Sequence, residues 1–275
     1  MSRRTVSSNP DLPGGDIDTA RVAGHWLLAR LGKRVLRPGG VEITEQLLAA
    51  VEVRDTDDVV EIAPGLGATT RRLLDPNPKS YTGVDRDPDA AGLVASLLDG
   101  PNRRIVHATA SETGLDADLA DVVFGEAYLT MQPDSLKRRV IAELARIARP
   151  GARLALHEVA FAPREIAPEA RESVVAALSS TIKVSVTPMT IDEWRELLES
   201  QGFSVRHQFT APLHLLEPRR LLRDEGLVGA ARFVLNVARD RSARDRVVAM
   251  REAMRDNAEH LQAVGLVAVR GLAAV

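Results

Sequence analysis

No cysteine occurs among the 275 residues, so disulfides, thiolate nucleophiles and cysteine-ligated metals are all excluded. Aromatic side chains make up only 3% of the chain, which speaks against a pocket that stacks nucleic-acid bases. Neither sign of charge dominates: the net charge of −2 supplies no bulk attraction for nucleic acid or an anionic membrane. No apolar run approaches the ~18 residues needed to cross a bilayer. The opening MSRRTVSSNPDLPGGD lacks the apolar centre of a secretory signal. The expectation is a soluble cytoplasmic protein that binds a small molecule, not nucleic acid or membrane, with a homodimer left open.

What is present is periodic. Residues 1–16 read as a flexible lead-in, and Ile17–Val53 carry helical spacing (Val22, Trp26, Leu27, Leu31) interrupted by RPGG at 37–40. From Val59 short β-branched runs alternate with helical stretches: VVEIA (59–63), SYTGVD (80–85), RIVH (104–107), ADVVFG (120–125) and ARLALHEV (152–159). That alternation predicts right-handed βαβ crossovers and a doubly wound, mostly parallel, seven-stranded Rossmann-like sheet. FSVRHQFT (203–210) and VGLVAVR (264–270) complete it, the last strand antiparallel. Thr190 and Glu193 are spaced as a capping box. Residues 217–260 read as wholly helical, with Leu227, Ala231, Val234 and Ala238 on one face and Val247, Met250, Met254 and Ala258 on another. The division expected is 1–54 as lead-in and N-terminal helices, 55–216 plus 261–275 as core, and 217–260 as a helical insertion or lid.

The informative stretch is VVEIAPGLGATT. A strand ends near Glu61, and Gly65 and Gly67 follow before a helix, so backbone N–H groups can approach a ligand closely. Asp85 ends the next strand, where a carboxylate can accept both hydroxyls of a ribose. Glu61 discriminates between ligands: it suits a cationic ligand and would repel a pyrophosphate. The third glycine of a dinucleotide fingerprint is replaced by Thr70.

These residues resemble a known family. VVEIAPGLGATT with YTGVDRDP is similar to motif I and the following acidic loop of class I S-adenosylmethionine (SAM)-dependent methyltransferases, whose usual form is (D/E)-x-G-x-G-x-G. ADVVFGEAYLTM, LARIARPGARLALHE and MTIDEWRELLESQGF resemble later motifs of the ubiquinone/menaquinone-type small-molecule enzymes. The likeness spans roughly residues 42–210 plus the last strand. APGLG and LTM are similar to a largely uncharacterised bacterial group. The resemblance implies SAM as cofactor and S-adenosylhomocysteine as product. It implies a binding set of Glu61, Ala63, Pro64, Gly65, Gly67, Asp85, Arg86, Ser111 and Glu126. Two departures stand out: Ala63 replaces the first glycine, and Ala108 and Ala110 stand where an acidic residue often meets adenine, leaving Ser111 or Glu112 to substitute.

Methyl transfer from a sulfonium asks mainly for positioning and exclusion of water, with a base only for an acceptor that holds its proton tightly. Glu126 and Tyr128 follow the fourth strand, and His157 and Glu158 end the fifth, so these are the catalytic candidates. Of the last pair at most one faces the pocket; His157 is preferred as base, since imidazole titrates near ~6.5 in water. His207 and His214 could join His157 in a metal site, but no close ligand spacing supports one, and none is expected. Arg219, Arg220, Arg223 and Arg232 could meet an anionic substrate, and Lys183 within STIKVSVTP (180–188) could do the same. Two other readings share the sheet: a nicotinamide-dependent oxidoreductase and a non-catalytic binding protein.

Overall fold

The structure is a computed structural model and describes residues 12–15, 17–213 and 215–272; His214 and most of the lead-in lie outside them. The chain runs α1 (Gly24–Arg30), α2 (Gly40–Val51), β1 (Asp58–Ile62), α3 (Ala68–Leu74), β2 (Ser80–Asp85), α4 (Pro88–Ala95), β3 (Arg103–His107), β4 (Ala120–Glu126), α5 (Asp134–Ile147) and β5 (Ala148–Phe161). It continues through α6 (Pro168–Ile182), β6 (Met189–Thr190), α7 (Ile191–Glu199), β7 (Phe203–Pro212), α8 (Pro218–Arg239), α9 (Arg241–Asp256) and β8 (Leu261–Arg270). The predicted capping box starts α7: Thr190 Oγ1 accepts from the Glu193 amide, and the Glu193 carboxylate accepts from the Thr190 amide.

Seven strands follow the order β3-β2-β1-β4-β5-β8-β7, and the two-residue β6 pairs with the end of β5 as an eighth. Strands β1 to β5 pair in parallel, and β8 runs antiparallel to both neighbours. The doubly wound sheet and its antiparallel last strand therefore stand as expected, with one short strand added. Strand β1 is buried along its whole length, as a strand covered on both faces must be.

Alternation assigns the two faces. Val123, Leu154 and Leu156 pack with Val140, Leu144 and Trp194 of α5 and α7. Val122, Phe124 and Ala155 pack with Ile43, Leu47 and Val51 of α2 on the other face. Each such buried aliphatic side chain contributes about 1.5–3 kcal/mol relative to exposure. A separate cluster joins Leu27 and Leu28 of α1 and Leu31 just after it to Leu221, Ala230 and Phe233 of α8 and to Val247 and Met250 of α9.

The segment 217–260 is helical as expected and forms two helices, α8 and α9, separated at Asp240; Gly226 (φ 68, ψ 175) adds a break within α8. Just before the break, Asp224 and Glu225 turn inward to the N-terminal segment. Glu225 accepts from the amides of Arg34 and Val35 at 2.9 Å each, and Asp224 pairs with the buried Lys33 at 3.4 Å. The face built on Leu227, Ala231, Val234 and Ala238 is exposed rather than packed, while Val247 and Met250 do face inward. Among the described residues no helix is long and apolar enough to cross a membrane.

Candidate functional site

The strand order reverses at β1: the chain runs outward through β2 and β3, then returns to place β4 on the other side of β1. A crevice opens at the carboxyl ends of strands flanking such a switch point. The pairing of Ile62 with Gly125 carries the loops after β1 and β4 to that edge side by side. There lies a cavity of about 500 Å³, lined by Glu61, Ala63, Pro64, Gly65, Asp85, Arg86, Ser111, Glu126 and Tyr128 among others.

Both loops leave their strands through a strained residue. Ala63 (φ 52) and Ala127 (φ 56) are left-handed without being glycine, a conformation costing an L-residue roughly 1–2 kcal/mol. Gly65 (φ +57) turns the first loop, and a Cβ there would meet nothing closer than the Ala63 carbonyl oxygen at 3.9 Å. Gly67 is different: it caps α3 and packs against Leu97, 2.3 Å from where its Cβ would stand, and it is not on the cavity wall.

Three carboxylates are held in different states. Glu61 Oε2 accepts from Thr70 Oγ1 at 2.6 Å and from the Tyr81 hydroxyl at 2.5 Å. Burial pushes its carboxyl up to about 7, the Thr70 and Tyr81 hydrogen bonds offsetting only part. Asp85 accepts from the Asp87 amide at 2.9 Å on one oxygen and the Gly65 amide at 3.3 Å on the other. Burial raises it against the pull of those two amides. The Glu126 carboxylate is largely buried too, yet is lowered to about 2: burial opposes ionisation, and the Arg37 charge, then the His157 contact, override it.

Glu126 is the hub of the edge. Its Oε2 accepts from Arg37 Nη1 at 2.7 Å and Thr69 Oγ1 at 2.5 Å. Its Oε1 accepts from Thr44 Oγ1 at 2.6 Å and faces His157 Nδ1 at 2.8 Å. His157 is fully buried on the α2 face, off the cavity wall, and its Nε2 has no partner. Alternation sends the neighbouring Glu158 to the opposite face, where it reaches the cavity lining. There its carboxylate accepts from the amides of Tyr128, Leu129 and Thr130 (3.0, 2.8 and 3.0 Å) and from Thr130 Oγ1 at 2.6 Å. Those bonds hold the turn that presents Tyr128, whose buried hydroxyl lacks a partner. Burial, then Glu158, raises that phenol well above its ordinary value, so it remains a donor.

The cover was less legible. His25 and Trp26 of α1 line the cavity, as do Leu36 and Arg37. Burial, helped by Arg86, lowers His25 to about 4, so its imidazole is neutral near pH 7. Arg37 carried no signal beyond the RPGG break, because its partner Glu126 is 89 residues away. Segment 180–188 does close one side through Ile182, Val184 and Val186, but Lys183 is exposed and off the wall. Arg219, Arg220 and Arg223 line a separate groove instead, in which Arg220 and Arg223 pair with Glu42; Arg232 is exposed on α8. Among the described residues no cluster of ligating side chains could hold a metal.

A switch-point crevice, a glycine turn and an acidic residue closing β2 define a Rossmann-like fold with an open cavity at its carboxyl edge. The comparisons with known proteins narrow that class. A family model described as "Methyltransferase domain" matches residues 59–151. An uncharacterized protein of Haemophilus influenzae is 30% identical over 217 residues, covering 78% of this chain and 84% of that one. The 27-O-demethylrifamycin SV methyltransferase of Amycolatopsis mediterranei is 26% identical over 220 residues, covering 75% and 79%. Among solved structures, a Haemonchus contortus phosphoethanolamine N-methyltransferase complexed with S-adenosylhomocysteine superposes with a TM-score of 0.68 at 12% identity, over 90% of this chain and 57% of that one. The chain belongs to the class I SAM-dependent methyltransferase family.

Proposed function

We propose that the protein binds SAM in the switch-point cavity and methylates a small, largely apolar molecule. The observation that carries this reading is the meeting of Glu61, Gly65 and Asp85 on one cavity wall. The donor set suits the cofactor. Asp85 keeps lone pairs free of its two amide contacts for a ribose diol. Glu61, half-protonated near neutrality, gains its full charge beside a cationic amino acid moiety. A dinucleotide would instead place its pyrophosphate against that carboxylate, which disfavours the oxidoreductase alternative. Arg86 and Ser111 border the same wall beyond Asp85, where the nucleoside base would lie.

When bound, SAM supplies a sulfonium-activated methyl group to the acceptor. The chain's own work is then orientation and exclusion of water. Glu126, with its value near 2, is a fixed anion rather than a proton carrier at neutral pH. It holds Arg37 and the loop after β4, with His157 as a positioning residue behind it. Tyr128 offers its unpartnered hydroxyl to the ligand. Trp26, Leu36, Met131, Val159, Ile182, Val184 and Val186 make most of the remaining wall apolar, which fits an uncharged acceptor. The rifamycin named for the Amycolatopsis relative is a small molecule, in keeping with that class.

Isothermal titration with S-adenosylhomocysteine and, separately, NAD tests the reading. Binding of the former alone, weakened at least tenfold by Asp85→Ala, is expected. A response only to NAD, or to neither, removes the proposal.

A further inference from the structure

Helix α8 is apolar on two faces. Ala230, Phe233 and Val237 pack against α1 and α9. A second stripe points to solvent: Leu227 is 79% exposed, Val228 75%, Val234 57% and Leu235 49%, with Ala231 and Ala238 exposed among them. Large apolar side chains at such exposure, contiguous on one helix, mark an interaction surface. The fractions leave on the order of 600 Å² of apolar surface per protomer, approaching the ~800 Å² each partner buries in a standard interface.

The spacing specifies the partner. Leu227, Ala231, Val234 and Ala238 follow steps of four, three and four, the seam of a helix pair. A two-fold axis between Arg232 and Phe233 would set Leu227 against Ala238 of a second copy and Ala231 against Val234. Each large side chain then meets a small one, which gives close antiparallel packing without voids. Val228 and Leu235 border the same side of the seam, so that flank of the contact is apolar as well.

We propose that α8 is a homodimer interface in which two copies pair antiparallel through Leu227, Ala231, Val234 and Ala238. Its inner face packs on α1, which carries His25 and Trp26 into the cavity, so pairing buttresses the layer that roofs the site. The inference does not depend on the ligand assigned to that cavity.

Sedimentation of the full chain at tens of micromolar should give about twice the 29.8 kDa protomer mass. The double variant Leu227→Arg/Val234→Arg, altered only at exposed positions, should sediment as a monomer with an unchanged circular dichroism spectrum, and its thermal melt should lose the concentration dependence of the wild type. Ala231→Leu should weaken the dimer at least tenfold by setting large against large. The absence of cysteine gives a clean register test: Leu227→Cys/Ala238→Cys should cross-link between copies on oxidation. Leu227→Cys alone should not, because the two copies of residue 227 would stand ~16 Å apart along the axis at 1.5 Å per residue. A wild-type chain that stays monomeric, an arginine variant that stays dimeric, or tighter association of Ala231→Leu overturns the proposal. So does efficient cross-linking of Leu227→Cys alone, or a monomer that binds anionic phospholipid vesicles through this stripe.

Discussion

Arg37 and Glu126 form a buried ion pair, Nη1 to Oε2 at 2.7 Å, that ties the segment before α2 to the loop after β4 across the mouth of the cavity. The pair joins the cover to the carboxyl edge of the sheet. Thr44 and Thr69 donate to the same carboxylate, so it is fully compensated despite its burial. Full compensation is the condition under which a buried carboxylate remains charged.

Removing the cation should therefore be costly. Arg37→Met is expected to lower stability by about 3–5 kcal/mol, because it strands a buried anion rather than deleting a contact. Glu126→Gln in the same background should restore part of that loss. Urea denaturation of the single and double variants measures both, and additive losses would show that the two residues do not interact.

Glu61 predicts a pH dependence of known sign. Its folded value of about 7 lies above the ordinary 4.5, so the folded state holds the proton more tightly than the unfolded chain. Its contribution to stability is fully present below about 4.5 and declines as pH rises to about 7, by a total on the order of 3 kcal/mol. Glu61→Gln should flatten that part of the stability–pH curve, since the amide oxygen can still accept from Thr70 and Tyr81. Binding of S-adenosylhomocysteine, whose amino group is cationic, should tighten from pH 6 to 8 and release protons, seen as a buffer-dependent heat. Affinity that falls over this range would contradict the placement.

The sheet was legible because its evidence is local. Strand and helix periods, the RPG stop before Ala152 and the Thr190–Glu193 box each show within a dozen residues. The cavity wall was legible where it follows the strand ends, as with Glu61, Gly65, Asp85, Glu126 and Tyr128. What escaped depends on distant chain. Arg37, Thr44 and Thr69 converge on Glu126 only through the fold. The choice between His157 and Glu158 turns on which face of β5 the crevice opens, which alternation alone does not supply. The outward stripe of α8 misled for a related reason: periodicity shows that a face is apolar, not what covers it.

Ala63 and Ala127 offer stabilisation by substitution. Glycine adopts their left-handed conformation without the Cβ clash, a relief of roughly 1 kcal/mol, against which its extra freedom in the unfolded chain sets 0.4–1 kcal/mol. Ala63→Gly should therefore be neutral to mildly stabilising in thermal melts, where an ordinary loop alanine would lose stability. A loss above about 1 kcal/mol would mean that the Ala63 methyl packs favourably and the turn is not strained.

The two motif glycines should respond unequally to the same change. Gly65→Ala meets open space, so only its positive φ resists, and a stability loss of about 1 kcal/mol is expected. Gly67→Ala adds a methyl 2.3 Å from Leu97 Cδ1 on top of a φ of +70. Leu97 Cδ1 is the end of a half-buried, flexible side chain that can give way, so the expected loss is about 1–2 kcal/mol, relieved in part by Leu97→Ala, which vacates the contact. Ligand affinity should rank the other way: Gly65 borders the cavity and Gly67 does not, so Gly65→Ala should weaken S-adenosylhomocysteine binding more than Gly67→Ala does at a temperature where both are folded. Equal effects on stability and on binding would mean that the turn acts as one rigid unit, with no division between a glycine that admits the ligand and a glycine that admits its neighbour.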